Sequence, residues 1–500
     1  MTASASDTVV IGSGIGGLTA AALLARSGRE VLLVEGQSRP GGALRRFTRG
    51  GIPFDIGFHY TGGLDRGQIL RALWDYLGVW PKLEAVPLGP GGYDYLRVQD
   101  SDLAVRAYYS YERLEEELTA VFPREKKGIA HYLTTLGEIC RRVPFYNLDL
   151  PLTPFLRSTS PSADRPLADF LAAATGNEAL QAVLCAPAFL HGVPPRQAGL
   201  SMHAVVAHAY YSGAWGIKGG GRAVVEALLA VLARDGVKIL TDCPARRIEV
   251  RDDRVTGLLA GEHEIKTRNV VYTGHPHHLP DLLPENALRP AYRSRLRDLV
   301  DTVSMFIVFG EIDKPADLPQ LDEVNPYLLS PGFGLLDCPP ATAAGSLMLT
   351  APGRRDGENS RAARGVILMR PASMSEVETY DLGKKGRKDG YATWKERECQ
   401  IMLDRAAKTF GESYRRIRPL ASGSPLTFRD RLGSYGGGVY GISHNRLQYP
   451  AGARTKLPGL YLSGQNSLMP GLMGASLSAL VSAGEITGLE ELWEEVRQWA

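Results

Sequence analysis

Short apolar runs and a helical pattern alternate at the beginning of the chain. Thr8–Ile11 and Glu30–Val34 are apolar over almost their whole length, which is typical of strands buried on both faces of a parallel sheet. Between them, Leu18–Ser27 is rich in Ala and Leu and is followed by Gly28, a residue that commonly ends helices. The beginning of the chain therefore predicts a β-α-β unit.

The alternation of strands and helices returns in the middle and at the end of the chain. A helix is predicted at Arg222–Asp235, and another at Gly471–Ile486 after a strand at Gly459–Ser463. Further strands are predicted at Val237–Thr241, Arg247–Arg251, Val255–Ala260, Glu264–Lys266 and Asn269–Thr273. Residues 65–215 show helical patterns broken by proline-rich loops, and residues 280–430 mix helices with strands.

Composition and charge exclude several classes of protein. Hydrophobic residues make up 44% of the chain and charged residues 22%, which is typical of a globular protein and not of a disordered one. The 57 basic and 54 acidic residues give a net charge of +3, which is too small to predict nucleic-acid binding. The five cysteines are scattered, without a CxxC or His/Cys cluster, so we expect neither a disulfide framework nor a metal site.

The sequence predicts neither a targeting segment nor a membrane span. Its N-terminus lacks a basic region, and no apolar run reaches the roughly 18 residues of a transmembrane helix. We therefore expect a cytoplasmic protein. The basic groups Arg124–Lys127, Lys384–Lys388 and Arg415–Arg418 predict solvated surface, with peripheral contact to a membrane as the alternative.

The chain is rich in glycine, and the glycines form clusters that indicate a binding site. Glycine accounts for 56 of the 500 residues, or 11.2%, whereas roughly 7% is usual. The first cluster joins the first strand to the first helix and consists of Gly12, Ser13, Gly14, Ile15, Gly16 and Gly17. In such a motif the first glycine allows a tight turn, the second lets the backbone approach a pyrophosphate, and the third lets the helix pack on the strand.

An acidic residue completes this motif. Glu35 ends the second strand, where its carboxylate can accept hydrogen bonds from ribose hydroxyls. The N-terminus of the intervening helix offers free N–H groups to phosphates. A tight turn without a ligand is the alternative, but the strand, helix and acid together predict a dinucleotide site.

Two segments after Glu35 link the chain to a known family. Arg39-Pro-Gly41-Gly42 continues the glycine-rich wall, and Phe54-Asp-Ile-Gly57-Phe-His59-Tyr60 follows. The block from residue 11 to 62 resembles the amine oxidase and phytoene desaturase superfamily of FAD flavoproteins, and its second segment resembles the retinol saturase and carotenoid isomerase branch. The resemblance spans the whole chain, since it recurs at residues 215–220, 243–248 and 461–475.

The resemblance implies FAD as the cofactor and an α/β fold. A Rossmann-type, glutathione-reductase-like FAD-binding domain would consist of residues 1–64, 216–280 and 431–500, and an α+β substrate domain of residues 65–215 and 281–430. The residues implied to bind FAD are Gly12, Ser13, Gly14, Ile15, Gly16, Gly17, Glu35, Gly41, Gly42, Arg45, Ala245, Gly464, Gln465, Leu472 and Met473. Ala43 and Gln465 depart from the family pattern, which usually has an arginine and an acid at these places.

The C-terminal motif fits this assignment on physical grounds. The small residues Gly471, Gly474, Ala475 and Ser476 allow the backbone to approach a ligand closely. The helix N-terminus could face the isoalloxazine and stabilise the negative charge of reduced flavin. A plain packed C-terminal helix is the alternative.

His59 and Tyr60 are the candidate catalytic residues, because they follow the strand that should pass near the flavin. Either could deliver a proton to a substrate carbon, and a structural hydrogen-bonded pair is the alternative. His444 is a second candidate beside the flavin, whereas His275, His277 and His278 predict an exposed turn. The side chains of His191, His203 and His208 are expected in the core or in a pocket wall.

A second nucleotide site is not predicted, because Gly219–Gly221 and Gly436–Gly438 follow no predicted strand and lead to no ribose acid. Electrons would then be exchanged with a transient donor or acceptor. The resemblance implies redox chemistry at carbon–carbon bonds of an apolar conjugated polyene, by saturation or desaturation at flavin N5. The alternatives are cis–trans isomerisation of a carotenoid-like polyene, reductive cyclisation of a polyene natural product such as a polyene tetramate, and amine oxidation.

Overall fold

The computed structural model describes residues 4–89, 91–158, 163–338, 345–357, 360–383 and 386–500. Its strands in chain order are β1 (Ser4–Ala5), β2 (Thr8–Ile11), β3 (Val31–Val34), β4 (Arg46–Arg49), β5 (Ile52–Asp55), β6 (Ala85–Pro87), β7 (Asp94–Val98), β8 (Ala104–Ala107), β9 (Trp215–Ile217), β10 (Lys238–Leu240), β11 (Ala245–Arg251), β12 (Arg254–Ala260), β13 (His263–Lys266), β14 (Asn269–Tyr272), β15 (Ser304–Glu311), β16 (Asn325–Leu329), β17 (Leu347–Thr350), β18 (Gly365–Ala372), β19 (Arg418–Gly423) and β20 (Leu460–Leu462). Its helices are α1 (Ile15–Arg26), α2 (Ile69–Leu77), α3 (Tyr111–Val121), α4 (Lys126–Cys140), α5 (Leu152–Ser158), α6 (Leu167–Ala174), α7 (Glu178–Cys185), α8 (Leu200–Tyr211), α9 (Gly220–Arg234), α10 (Pro290–Arg297), α11 (Gln320–Glu323), α12 (Tyr391–Phe410), α13 (Pro425–Leu432), α14 (Gly471–Thr487) and α15 (Leu489–Arg497).

A five-stranded parallel sheet forms the centre of one part of the structure. Its strand order is β10-β3-β2-β14-β20, and every neighbouring pair is parallel. Alternate residues point to opposite faces, so Val10 and Leu33 pack against α1, α9 and α14, whereas Val9 and Leu32 pack towards the antiparallel sheet β1-β13-β12-β11. Helices, parallel sheet and antiparallel sheet form three layers, and the predicted Rossmann-type α/β fold is confirmed.

A seven-stranded mixed sheet forms the centre of the other part of the structure. Its strand order is β19-β15-β18-β17-β16-β7-β8. On one face Phe306 and Val308 of β15 pack into a core with Met402 of α12. On the other face Met305 and Ile307 pack into a larger core that includes residues of α3, α4, α7 and α8. This sheet and its helices fit the α+β architecture expected for the substrate domain, while the domain boundaries stay a prediction.

Strands β7 and β8 lie in a segment where the sequence predicts helices. Their residues alternate between buried and half-buried positions, and polar residues such as Asp94, Arg97 and Arg106 interrupt the apolar pattern. β7 pairs in parallel with β16, which belongs to a distant part of the chain. The pairing that makes this segment a strand is therefore not visible in its local pattern.

Two other local predictions differ from the structure. The first helix begins at Ile15 and not at Leu18, because the last two glycines of the motif form its first turn. The segment Lys384–Lys388 is not a wholly exposed loop: Lys384 and Lys385 lie outside the described residues, and Arg387 is half-buried in ion pairs with Asp381 and Asp430. None of the helices in the described parts of the chain combines the length and apolar character needed to cross a bilayer.

Candidate active site

A cavity of about 510 Å³ lies at the carboxyl ends of the parallel strands and extends to the mixed sheet. This edge is where open α/β sheets usually bind ligands. Three groups stand out among the residues that line the cavity. They are the glycine-rich turns and their neighbours Gly12, Ser13, Gly14, Ile15, Gly16, Gly17, Glu35, Gly42, Arg45, Gly464, Gln465, Gly471 and Leu472; the candidate pair His59 and Tyr60; and the apolar residues Phe189, Leu190, Met305, Ile307, Met348, Met369 and Phe428. One space therefore joins the predicted cofactor site to an apolar wall.

The first glycine-rich turn needs its glycines for different reasons. Gly12 has a φ of +97°, which only glycine adopts without strain. A Cβ on Gly17 would overlap the Gly12 carbonyl oxygen. A Cβ on Gly14, in contrast, would meet no heavy atom within 4 Å, because Gly14 faces the cavity. The free space at Gly14, in front of the uncapped N-terminus of α1, is of the kind that a pyrophosphate requires.

Glu35 is held in place at the wall of the cavity. One carboxylate oxygen accepts hydrogen bonds from the backbone N–H of Ser13, at 2.9 Å, and from the Ser13 hydroxyl. The other accepts a bond from the backbone N–H of Gln37, at 2.8 Å. A carboxylate has about four acceptor sites, so Glu35 retains capacity for ribose hydroxyls. The residues present at this end of the cavity fit an ADP moiety.

The C-terminal glycine-rich motif, residues 464–475, brings a second helix N-terminus to the same cavity. Gly471 begins α14, which has no side-chain cap, and a Cβ on Gly471 would meet nothing within 4 Å. Gly464 and Gln465 line the cavity beside it. The free N–H groups of α14 can stabilise negative charge on a bound ring, as the sequence predicts for the flavin.

Some residues predicted to bind FAD lie outside the cavity lining. Gly41 stands behind it and donates its N–H to the Ser13 carbonyl, at 2.9 Å. Ala245 begins β11 and is half-buried, and Met473 packs in the helical core close to Gly63. Arg45 does line the cavity and donates a hydrogen bond to the Gly42 carbonyl, at 3.0 Å. Their roles in FAD binding stay predictions.

His59 lies on the cavity wall as a neutral imidazole. Its backbone carbonyl accepts a hydrogen bond from Arg355, and its Nδ1 is buried without a hydrogen-bond partner among the described residues. Burial, together with the positive charge of Arg355, lowers the pKa of His59 to about 4. At neutral pH His59 therefore carries no proton that it could easily give away.

The Tyr60 hydroxyl is buried between two polar side chains. Its hydroxyl donates a hydrogen bond to the Asp94 carboxyl, at 2.9 Å, and lies 2.9 Å from the Tyr327 hydroxyl. Burial and the neighbouring acid raise the pKa of Tyr60 well above 10, so it stays protonated at all ordinary pH values. Burial also raises the pKa of Asp94 to about 7.

Sequence reasoning missed Asp94. It begins a strand in the segment predicted to be helical, and its hydrogen-bond partner Asn325 lies on β16, in a distant part of the chain. The only local signal is an acid between tyrosines in an apolar stretch, Tyr93-Asp94-Tyr95-Leu96. A buried acid beside a cavity is a common feature of functional sites.

Comparison with known proteins identifies the family. The model of the family described as flavin containing amine oxidoreductase matches residues 15–370. The chain belongs to this family. The flavoprotein is thus an FAD-dependent oxidoreductase, and the cofactor predicted from the glycine-rich motifs is confirmed.

Relatives confirm the branch that the sequence resembles. The all-trans-retinol 13,14-reductase of Danio rerio is 27% identical, over 96% of this chain and 86% of its own length. The chloroplastic prolycopene isomerase of Daucus carota is 26% identical, over 97% of this chain and 81% of its own length. Among solved structures, putrescine oxidase with bound putrescine has the same fold, with a TM-score of 0.65, 15% identity, and coverage of 97% of this chain and 99% of its own.

The histidines of the flavoprotein differ in part from expectation. The predicted exposed turn is wrong for His275, which is buried, lines the cavity and places Nε2 2.7 Å from Asp301 Oδ1. The apolar residues Pro276 and Leu279 hold this turn against the core. His444 donates a hydrogen bond to the Gln465 carbonyl, at 2.8 Å, from behind the cavity wall. His203 is buried in the core beside Tyr132, as one of the two expected placements.

The glycines at 219–221 do follow a strand, β9, contrary to the prediction, and they lead into α9. This strand belongs to a two-stranded antiparallel pair and not to the parallel sheet. The N–H of Gly221 donates to Asp55, at 2.9 Å, and the N–H of Gly219 donates to Asp356, at 2.7 Å. Carboxylates of the flavoprotein itself thus occupy the positions where a phosphate would bind.

Gly14→Val is expected to remove FAD without unfolding the chain. The backbone at Gly14 has φ −64° and ψ 175°, which valine adopts readily, and the added side chain would enter the free space in front of α1. The purified variant should be colourless, whereas the wild-type protein should be yellow with one FAD per chain. Flavin absorbance per protein and the thermal unfolding temperature of the apoprotein measure the two effects.

Gly176→Val is the matched control for this variant. Gly176 also has free space around an added Cβ, but it lies outside the cavity lining. This control should retain FAD. Full FAD content in Gly14→Val would show that the turn does not hold the pyrophosphate.

Asp94→Asn is expected to change how stability depends on pH. The Asp94 carboxyl has its pKa raised from 3.8 to about 7 in the folded chain, so between these values the folded chain binds a proton that the unfolded chain does not. The free energy of unfolding therefore falls as the pH rises through this window. Between about pH 5 and pH 8 the wild type should lose roughly 2–3 kcal/mol relative to Asp94→Asn.

Urea unfolding at both pH values measures this difference. Asp149→Asn is the control, because the Asp149 side chain is 99% exposed. A difference between wild type and Asp94→Asn that stays constant with pH would mean that Asp94 is ionised in the fold throughout this range.

Proposed function

We propose that the flavoprotein reduces a carbon–carbon double bond of an apolar conjugated polyene. The observation that carries this proposal is the lining of the main cavity, where the cofactor motifs and an apolar wall meet beside a protonated tyrosine. The apolar wall comes from alternate residues of three neighbouring strands, Met305 and Ile307 of β15, Met348 of β17 and Met369 of β18. An extended apolar chain would bury its surface against these residues.

The relatives support this substrate class. The Danio rerio relative is named for reducing all-trans-retinol, and the Daucus carota relative for isomerising prolycopene. Methionine side chains suit such a ligand, because they are flexible and polarisable and adapt to an irregular apolar shape. Saturation is the variant of the reaction that makes use of the protonated hydroxyl in the wall.

Reduction of a double bond requires a hydride at one carbon and a proton at the other. When bound, the flavin supplies hydride transfer. The residues of the chain hold the apolar substrate, exclude water through the buried wall and deliver the proton. Tyr60 is the proposed donor, since it stays protonated and lines the cavity.

The position of His59 favours a different task. Its pKa of about 4 leaves it neutral, so at neutral pH it is a poor source of protons. Its buried Nδ1 has no hydrogen-bond partner among the described residues, and a neutral imidazole can donate or accept one bond there. We assign His59 to positioning the cofactor or substrate, and Tyr60 to proton transfer.

The reaction is tested with anaerobic holoenzyme reduced by dithionite and mixed with all-trans-retinol or with prolycopene as probes. Mass spectrometry should find a product with two more hydrogens than the probe, formed in proportion to reduced enzyme. The FAD-free variant Gly14→Val is the control and should form none. A product of unchanged mass and altered double-bond geometry would establish isomerisation instead. In a separate aerobic assay with oxidised holoenzyme, hydrogen peroxide released with putrescine would establish amine oxidation.

The electron source is proposed to be a transient donor and not a bound nicotinamide. Helix α9 also begins with glycines directly after a strand, as a dinucleotide-binding helix would. Its N-terminus is occupied by the carboxylates of Asp55 and Asp356. These carboxylates already take the N–H groups of Gly221 and Gly219, so the groups that would bind the phosphates of a dinucleotide are occupied. NADPH should therefore reduce the bound FAD slowly in stopped flow, whereas dithionite should reduce it promptly. Fast reduction that saturates with NADPH concentration would contradict this proposal.

A further inference from the structure

A polar cluster lies behind Tyr60, on the side away from the cofactor motifs. Asp94 is buried and does not line the main cavity, so the Tyr60 hydroxyl is its hydrogen-bonded link to that space. Asp94 does line a separate small cavity, whose other lining residues are mostly apolar and aromatic. Among the described residues, the hydrogen bond from Asp94 to a residue of the main cavity wall runs to Tyr60.

Asn325 fixes which oxygen of Asp94 can carry a proton. The Tyr93 carbonyl can only accept a hydrogen bond, so the Asn325 side-chain atom bonded to it is the amide nitrogen. The Thr350 hydroxyl then donates to the Asn325 side-chain oxygen, at 2.7 Å. The amide nitrogen donates to Asp94 Oδ1, at 2.9 Å, and to the Tyr93 carbonyl, at 3.0 Å. Oδ1 is therefore an acceptor at all times, and a proton on Asp94 belongs on Oδ2, 2.9 Å from the Tyr60 hydroxyl. Ionised Asp94 accepts a hydrogen bond from Tyr60, whereas protonated Asp94 donates one to it.

We propose that Asp94 and Tyr60 form a proton relay, in which Tyr60 gives its proton to the substrate carbon and takes a replacement from Asp94. This inference rests on the proposed function and adds the source of the proton.

The step balances in atoms and charge. Hydride addition, the chemistry that bound reduced flavin would supply, would leave an electron pair on the neighbouring carbon of the double bond. The Tyr60 O–H bond breaks as a C–H bond forms at that carbon, and the Asp94 O–H bond breaks as the Tyr60 O–H bond re-forms. The carboxylate that remains on Asp94 accepts hydrogen bonds from Asn325 and Tyr60, and solvent protonates it again before the next turnover.

The surroundings of Asp94 fit a group that alternates between acid and anion. The titratable groups that face it come from several elements and are Tyr60, Tyr93, Tyr210, Tyr211, Tyr327 and Arg355. The tyrosines stay neutral, so Arg355 is the one charged group of this set, and it favours the anion only at a distance. Burial raises the pKa of Asp94 to about 7, which lets it hold a proton near neutral pH and still release it.

The relay is tested by the pH dependence of product formation. Dithionite-reduced holoenzyme is mixed with all-trans-retinol at pH values from about 5.5 to 9. The wild-type rate should fall as the pH rises above about 7, because Asp94 loses its proton. Asp94→Asn should be slower by at least about 10-fold near pH 6, and its rate should not fall with pH, since Asn keeps the hydrogen bonds but has no acidic proton.

Two further variants separate a relay from a structural role. Tyr60→Phe should slow the reaction by about 10²-fold at every pH, because it removes the donor itself. Tyr93→Phe is the matched control, since it removes a buried hydroxyl next to Asp94 but outside the relay, and it should keep the wild-type pH profile. An unchanged pH profile in Asp94→Asn, or an equal loss at every pH, would overturn the relay.

A second measurement does not depend on substrate or turnover. Infrared difference spectra between acidic and alkaline pH should contain the carbonyl stretch of a protonated carboxyl that titrates near neutral pH. This band should be absent in Asp94→Asn and shifted in Tyr60→Phe, which loses the hydrogen bond to the acid. If no such band is lost in Asp94→Asn, the relay is wrong whatever the substrate is.

The two measurements also distinguish failure of the relay from failure of the proposed function. If wild-type enzyme saturates the probe and the Asp94 band is missing, the function stands and the relay falls. If no polyene is saturated by wild-type enzyme, the proposed function falls and the relay falls with it, even where Asp94 titrates. Should Asp94→Asn fail to retain FAD, the wild-type and Tyr60→Phe spectra and rates decide the question.

Discussion

The active site depends on one contact between two glycines. A Cβ on Gly16 would lie 2.6 Å from the Gly464 Cα, so backbone meets backbone here with no room for a side chain. This contact brings the first turn of α1 against the loop between β20 and α14. Two helix N-termini, from opposite ends of the chain, therefore open onto one cavity, and the cofactor motifs act together only because of it.

The glycine motifs made the cofactor side of the site predictable from the sequence. The first turn, the acid Glu35 and the helix that joins them follow one another directly along the chain, and the geometry of a dinucleotide site sets their spacing. Such a pattern is local, so it predicts both the fold of this unit and its ligand. Strands such as β2 and β14 are also readable, because burial on both faces leaves continuous apolar runs.

The substrate side was harder to read because its contacts join distant parts of the chain. Asp94 belongs to a hydrogen-bond network with Tyr60, Asn325 and Thr350, and none of these residues is near it in sequence. Arg46 pairs with the nearby Asp55, at 2.8 Å, but also with Asp356 from a remote part of the chain, at 2.6 Å. A polar residue on a half-buried strand looks like ordinary surface until its partners are placed around it.

The two halves of the proposed reaction are held by different parts of the fold. The cofactor motifs belong to the parallel sheet, whereas Asp94 and Asn325 belong to the mixed sheet. Tyr60 lies on the segment between them, and two contacts fix this segment: Thr61 pairs with Trp215, and Arg355 binds the His59 carbonyl. Because proton transfer is sensitive to distance, the contacts that hold Tyr60 in place govern the chemistry as much as its acidity does. The buried carboxyl of Asp94 reduces stability at neutral and alkaline pH. This cost in stability falls on the residue that, in the proposed relay, supplies the proton to Tyr60.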